Sequence, residues 1–385
     1  PGAFTVAKPV TVLGPNATIS PNTGERVAEA VLQGTTASGL SESVALDATG
    51  VVLIGLTFDN LRIDNYNSNA HELSTDHVIA FNRFVNVLGT AVYLRDGRDA
   101  PGQYSSGVVV QDNRIESPAA AGTVDFDAGS GIIVMGAEAL VIKDNVILSA
   151  AYNGIQLARC NGLVLQNNTA TGCAQPALQV AQWNDGVMQI SSNTFSTVST
   201  TKAAVRLYGF TNGYLPEFAF TGNTIKDSRY GVQIGREDGT AVDINTATYA
   251  FSGNIFDNIT AQRLMVYMTG EATEAEQAKM DAMFAQVYVP GSTAGLIATT
   301  PVRIYAAVPN PVWVDGAYTA EACGGHIWGY DAFTTIPAGV TAVAVGGTVN
   351  VGPGEYDGKV AINKSVTLLS TDGRSEEHTS ELQSP

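Results

Sequence analysis

Several residue types are scarce in this chain, and each scarcity excludes something. Only 15% of the 385 residues are charged, and 20 Lys and Arg face 36 Asp and Glu, a formal net charge of -16. Nucleic acid and anionic lipid both require clustered cations, so neither is expected as a partner. The three cysteines, Cys160, Cys173 and Cys323, are odd in number and show no CxxC or Cys/His spacing. That excludes a disulfide scaffold and a structural zinc motif, and it favours buried thiols over a Cys160–Cys173 bridge. No run of 18 apolar residues occurs, so no helical membrane span is encoded. Helical periodicity is nearly absent as well. The one convincing helix is TEAEQAKMDAMFAQV, residues 273–287, with Thr273 and Glu276 as a capping box and Met280, Met283, Phe284 and Val287 on one face. It is expected to cover an edge of the fold, since an exposed edge offers unpaired strand groups to other chains.

What is abundant is a repeat. The stretch SSGVVVQDNRI carries apolar Val108, Val110 and Ile115 around Asn113, and recognisable copies recur along more than half of the sequence. Marked by the Asn or its replacement, the copies fall at Leu56, Asn82, Asn113, Asn145, Asn168, Asn193, Asn223 and Asn254. The residues two places later are Phe58, Phe84, Ile115, Ile147, Ala170, Phe195, Ile225 and Phe256, and the intervals run from 23 to 32 residues. A period of that size is a solenoid signature. A second short segment follows most copies: TAVYLRD, SGIIVMG, NGIQLAR, PALQVAQ, AAVRLYG, YGVQIGR and QRLMVYM. Its apolar places alternate, as Val92 with Leu94 and Ile155 with Leu157, so they share one face of a strand. These segments are short, β-branched and broken by Gly, Asn and Ser, which excludes a helical repeat. Stacked at ~4.8 Å per coil they would form parallel sheets around a linear core roughly 40 Å long. Asn suits the corner, because it tolerates left-handed backbone angles and its amide can bond to the Asn above and below. That role accounts for the NNT at Asn167 and the NIT at Asn258 without invoking glycosylation.

The GVxIxxNxI…GIxL pattern resembles the repeat of the pectin-lyase-like superfamily over about residues 40 to 268. The resemblance implies an all-β, right-handed parallel β-helix with one short capping or connector helix, from a tandem-module secreted bacterial protein. That fold hosts many unrelated functions, so it is specific for architecture and weak for activity. Residues 3–14, AFTVAKPVTVLG, match residues 359–370, KVAINKSVTLLS, with Lys8 over Lys364. Upstream of the second copy, GYDAFTTIPAGVTAVAVGG resembles an N-terminal capping helix and GGTVNVGPGEYDGKV an opening coil. Residues 1–270 therefore read as a β-helix module without its own N-terminal cap, 271–325 as helix and connector, and 326–373 as the truncated start of a second module. Residues 374–385, containing RSEEHTSELQSP, resemble a translated sequencing adapter and read as a non-native tail.

Candidate binding residues lie on the outward row of the second strand. Tyr93, Gln156, Gln179, Arg206 and Gln233 occupy it, with Ile133 and Met265, and Arg159, Trp183 and Tyr208 stand at its edge. Long loops RDGRDAPGQYSS, YGFTNGYLPE and GREDGTAVDINTAT would wall a shallow trough suited to sugar hydroxyls and rings. Catalysis is less well supported. Glycosidases need two carboxyls ~5 to 9 Å apart, and the row carries none. The motifs of polygalacturonases, of mannuronan epimerases and of calcium-dependent pectate lyases do not occur. The acidic candidates are Asp96, Asp99, Asp125 and Asp127 on loops, with Arg95 beside the first. His71, Glu72, Asp76 and His77 form a polar cluster, but His77 falls at an inward place and fits a hydrogen-bonded core histidine better than a metal ligand. The balance favours a noncatalytic extracellular or cell-surface module, structural or adhesive, with weak carbohydrate binding and no cofactor or metal. A polysaccharide or surface glycan would be its partner, and the module would be monomeric within a longer chain. The alternative is a lyase or glycosidase acting on acidic polysaccharide, with calcium as the cofactor if a lyase.

Overall fold

A computed structural model of the chain describes residues 3–37, 39–65, 75–95, 104–122, 128–181, 185–207, 217–235, 249–266, 309–319, 322–324, 326, 331–357 and 359–371. These fall into two compact units, one running to Val266 and the other starting at Pro309.

Each full coil of the first unit is made of three strands. In the coil of Asn113, Val109–Gln111 lies in the nine-stranded sheet B, Arg114–Glu116 in the nine-stranded sheet C, and Ile132–Met135 in the eleven-stranded sheet A. Pairing between coils is parallel, with Val110 beside Ile142, Ile115 beside Ile147 and Ile133 beside Gln156. The exception among the described strands is Thr36–Ala37, which pairs antiparallel with the strand Leu40–Leu46. Strand alternation sends Val110, Ile115 and Val134 inward, where all three are buried. The repeat stacks like on like: the rings of Phe58 and Phe84 lie 4.8 Å apart at 9°. The coil narrows at Ala170, where a Cβ on Gly154 would come within 2.8 Å of the Ala170 Cβ and 3.1 Å of the Cys173 Sγ. Glycine lets the backbone close that gap.

The corner between sheets B and C carries the expected ladder. Each amide Nδ2 donates to the next Oδ1, from Asn82 through Asn113, Asn145, Asn168, Asn193 and Asn223 to Asn254, at 2.9 to 3.2 Å. Every Oδ1 also accepts a backbone N–H from the coil before it, including Leu56 N on Asn82 at 3.0 Å. The spare Nδ2 proton goes to a backbone carbonyl, such as Val110 O for Asn145 at 2.9 Å. One expectation is corrected. The left-handed residue of this corner is the one before the Asn: Phe81, Asp112, Asp144, Asn167 and Ser192 all have φ between 50° and 58°, and Gly55, Gly222 and Gly253 fill the place elsewhere. None of the ladder Asn residues has a positive φ.

Cys160 and Cys173 are buried free thiols, and burial pushes their pKa up to about 11 and about 12. His77 is fully buried, and its Nδ1 accepts Val51 N at 3.3 Å. Desolvation lowers its pKa to about 4, against smaller opposing effects of that hydrogen bond and of Asp76. His71 and Glu72 lie outside the described residues, as does the helix expected over 273–287.

The second unit is a four-stranded parallel sheet in the order Ala332–Phe333, Val312–Val314, Thr348–Val351, Thr367–Ser370, covered by the helix Ile336–Ala342, α1. Thr335 caps α1 by accepting Ala338 N, and Val312, Val314, Val340, Val343 and Val349 make the core. This helix lies within the stretch that resembled a capping helix. The strand Val312–Val314 is central to the sheet, although it falls in the stretch read as connector. A three-residue apolar strand between Pro311 and Asp315-Gly316 is too short to give periodicity of its own.

Candidate functional site

The outward row of sheet A has the register expected from the repeat. Tyr93 pairs with Ile133, Ile133 with Gln156, Gln156 with Gln179, Gln179 with Arg206, Arg206 with Gln233 and Gln233 with Met265. Before Tyr93 the register continues through Asp64, Ala45 and Thr5, and Asp64 is paired at 2.8 Å with Arg62.

Most of the row is buried rather than open to solvent. Tyr93 is 3% exposed, Gln156 5% and Gln233 1%. Tyr93, Ile133, Met135 and Ala158 form a buried apolar cluster on the outer face of the sheet. Period-two alternation tells inside from outside of the coil and says nothing about what lies over the outside. Burial of Ile133 and Met135 removes apolar surface from water, which is favourable. The buried amides are correspondingly bonded: Asn153 Nδ2 donates to Gln156 Oε1 at 2.7 Å, Arg206 Nε to Gln233 Oε1 at 3.2 Å, and Gln233 Nε2 to Gly235 O at 2.9 Å. Gln179 and Arg206 are half-buried and form the accessible part of the row. Arg159 is buried too, in a left-handed conformation (φ 54°), at the place that Gly136 takes in the preceding coil. Arg95 is half-buried, with its N–H on Asn65 Oδ1.

Asp96, Asp99, Asp125, Asp127, Trp183 and Tyr208 lie outside the described residues. Among the described strand pairs, none sets two carboxylates side by side. Two acids do occupy the same corner of adjacent coils, Asp112 and Asp144, and sequence reasoning passed over them. Burial raises the pKa of Asp112, a Ser20 hydrogen bond opposes this, and the Asp144 charge adds to the rise. Their presence in consecutive copies just before the marker Asn was the available signal. Asp144 is engaged from the next coil by Asn167 Nδ2 at 3.2 Å, which fits a corner column.

Residues 44–215 match the family model described as right handed beta helix region. With the stacked parallel sheets, this makes the first unit a right-handed parallel β-helix. Among solved structures it is similar to an alginate lyase from Paenibacillus sp. str. FPU-7, at 16% identity and a TM-score of 0.44, over 68% of this chain and 89% of that one. No curated protein matches the chain significantly.

Proposed function

We propose that this chain acts outside the cell as a noncatalytic module, a rigid stalk or adhesive surface that binds carbohydrate weakly at Gln179 and Arg206. The observation that carries this reading is the burial of most of the outward row: Tyr93, Ile133, Gln156, Gln233 and Met265 are not open to a polymer chain, and the two amides have hydrogen-bond partners in Asn153, Arg206 and Gly235. The ladder supports rigidity, because six consecutive buried amides, continued by the half-buried Asn254, fix the coils in one register. The repetition of residues 3–14 in 359–370 supports a modular parent. Lys364 Nζ holds the last carbonyls of α1, Thr341 O at 3.0 Å and Val343 O, and Lys8 has the same place in the first copy.

The test has two arms. On a glycan array, binding by the chain should fall when Gln179→Ala and Arg206→Ala are combined, with the melting temperature little changed. Incubation with acidic polysaccharides, with and without calcium, should release no unsaturated or reducing ends. Clean turnover abolished by Asp125→Ala would overturn the proposal in favour of a lyase or glycosidase.

A further inference from the structure

A cavity lies on a different face from the outward row. Residues 14–30 do not simply close a coil between the strands Thr11–Leu13 and Val31–Gln33; they run along the corner of the stack. Asn22 Nδ2 donates to Asp144 O at 3.0 Å and Asn113 O at 3.4 Å, and Arg26 Nη1 donates to Ile19 O at 2.7 Å and Phe81 O at 3.0 Å. Arg26 also grips Glu29 through Nε at 2.6 Å and Nη2 at 3.0 Å, and Thr57 Oγ1 donates to the same carboxylate at 2.9 Å. Between this segment and the outer face of sheet C is a cavity of about 460 Å³, wide open to solvent, lined by Arg26, Glu29, Arg83 and Arg114 with Pro21 and Val27 among its walls.

The floor is a pair of guanidinium groups. Arg83 and Arg114 are register neighbours on adjacent coils, so their stems start about 5 Å apart. Both lean on Glu116, Arg114 through Nε at 2.6 Å and Arg83 through Nη2 at the long distance of 3.4 Å. The two terminal nitrogens of Arg114, and Nε and Nη1 of Arg83, make no other hydrogen bond among the described residues. Three guanidinium groups against Glu29 and Glu116 leave one positive charge here, in a chain whose net charge is -16. Among the described residues Glu29 Oε1 accepts only from Arg26, so it keeps a lone pair for a donor from a ligand.

We propose that this cavity binds an oxyanion, a carboxylate or a sulfate, carried on a ligand about the size of one sugar ring. Arg83 and Arg114 take the anion through their unfilled N–H groups, since planar guanidinium forks match such oxygens in geometry and charge. Glu29 takes a hydroxyl. A free ion would fill only a small part of the space, whereas a ring bearing hydroxyls uses both the donors of the floor and the acceptor of the wall. The site is separate from the Gln179–Arg206 stretch.

Calorimetric titration of the full chain with glucuronate, glucose 6-sulfate, glucose and inorganic sulfate tests this. The two acidic sugars should bind, more weakly as salt is raised, and glucose should not. Arg83→Gln combined with Arg114→Gln should weaken binding about tenfold or more, with the melting temperature nearly unchanged because both side chains are about a third exposed (35% and 29%). Arg206→Ala should leave this binding untouched, which separates the site from the carbohydrate surface proposed above. Absence of binding by both acidic sugars, equal binding of glucose, or inorganic sulfate binding as tightly as the sugar sulfate would each refute the proposal. So would a folded double variant that binds as the parent does.

Discussion

Replacing Asn145 by Ala should be among the most damaging single changes to the first unit. Asn145 Oδ1 accepts the backbone N–H and the Nδ2 of Asn113, both at 3.0 Å, and its Nδ2 donates to Asn168 Oδ1 and Val110 O, both at 2.9 Å. All of these groups are buried. Alanine leaves both Asn113 donors and the Val110 carbonyl without this partner, while Asn168 Oδ1 keeps the Asn145 backbone N–H at 3.1 Å. At about 1 to 3 kcal/mol for each of these three orphaned groups, the expected loss is about 3 to 9 kcal/mol. The last rung offers the internal control. Asn254 is half-buried, so water can replace part of what its side chain supplies, and Asn254→Ala should cost only about 1 to 2 kcal/mol. Asn145→Asp keeps the shape and the acceptor but sets carboxylate lone pairs against Asn168 Oδ1, so at neutral pH it should be at least as harmful as alanine. Urea denaturation followed by circular dichroism reads all three. If Asn145→Ala and Asn254→Ala shift the midpoint equally, the interior of the ladder does not stabilise the stack as argued.

The remaining predictions use the same observables. Leu165 is fully buried mid-stack, so Leu165→Ala should cost about 2 to 5 kcal/mol, while exposed Gln166→Ala should stay within about 0.5 kcal/mol. Gln156→Ala, on the covered outer face, should fall between them at about 1 to 3 kcal/mol, because Asn153 Nδ2 loses its acceptor. His77 should make stability depend on acid: the unfolded chain takes its proton near pH 6.5 and the folded chain only near pH 4. Stability is then complete above pH 6.5 and declines by up to about 3 kcal/mol as pH falls to about 4. In His77→Leu the slope over that window should flatten, and an unchanged slope would assign the acid sensitivity to other groups. In the second unit, amides of Thr348–Val351 should exchange faster with deuterium than those of Leu163–Leu165. Its sheet has four strands against nine or eleven, and its last strand, Thr367–Ser370, is exposed throughout.

What the sequence made legible was whatever repeats. Val110, Ile115 and Asn113 recur with their neighbours, and recurrence alone gives the strands, their inward faces and the ladder, because each coil must satisfy the same contacts above and below. Two kinds of feature escaped that logic. The burial of Gln156 and Gln233 could not be read from alternation, which distinguishes the inside of the coil from its outside and carries no information about exposure on the outside. The left-handed corner residue was misassigned by one place because Asp112, Asp144, Asn167 and Ser192 are as turn-prone as the Asn that follows them. The basic cavity is a mixed case. Residues 14–30 have no period, so their path along the stack could not be read from pattern. Yet the residue after the marker Asn is Arg in two adjacent copies, Arg83 and Arg114, where later copies have Val146, Thr169, Thr194 and Thr224. In a solenoid, equal repeat positions become spatial neighbours about 5 Å apart. A departure shared by adjacent copies is therefore a local surface property, and here it places two cations side by side on a protein that otherwise carries few.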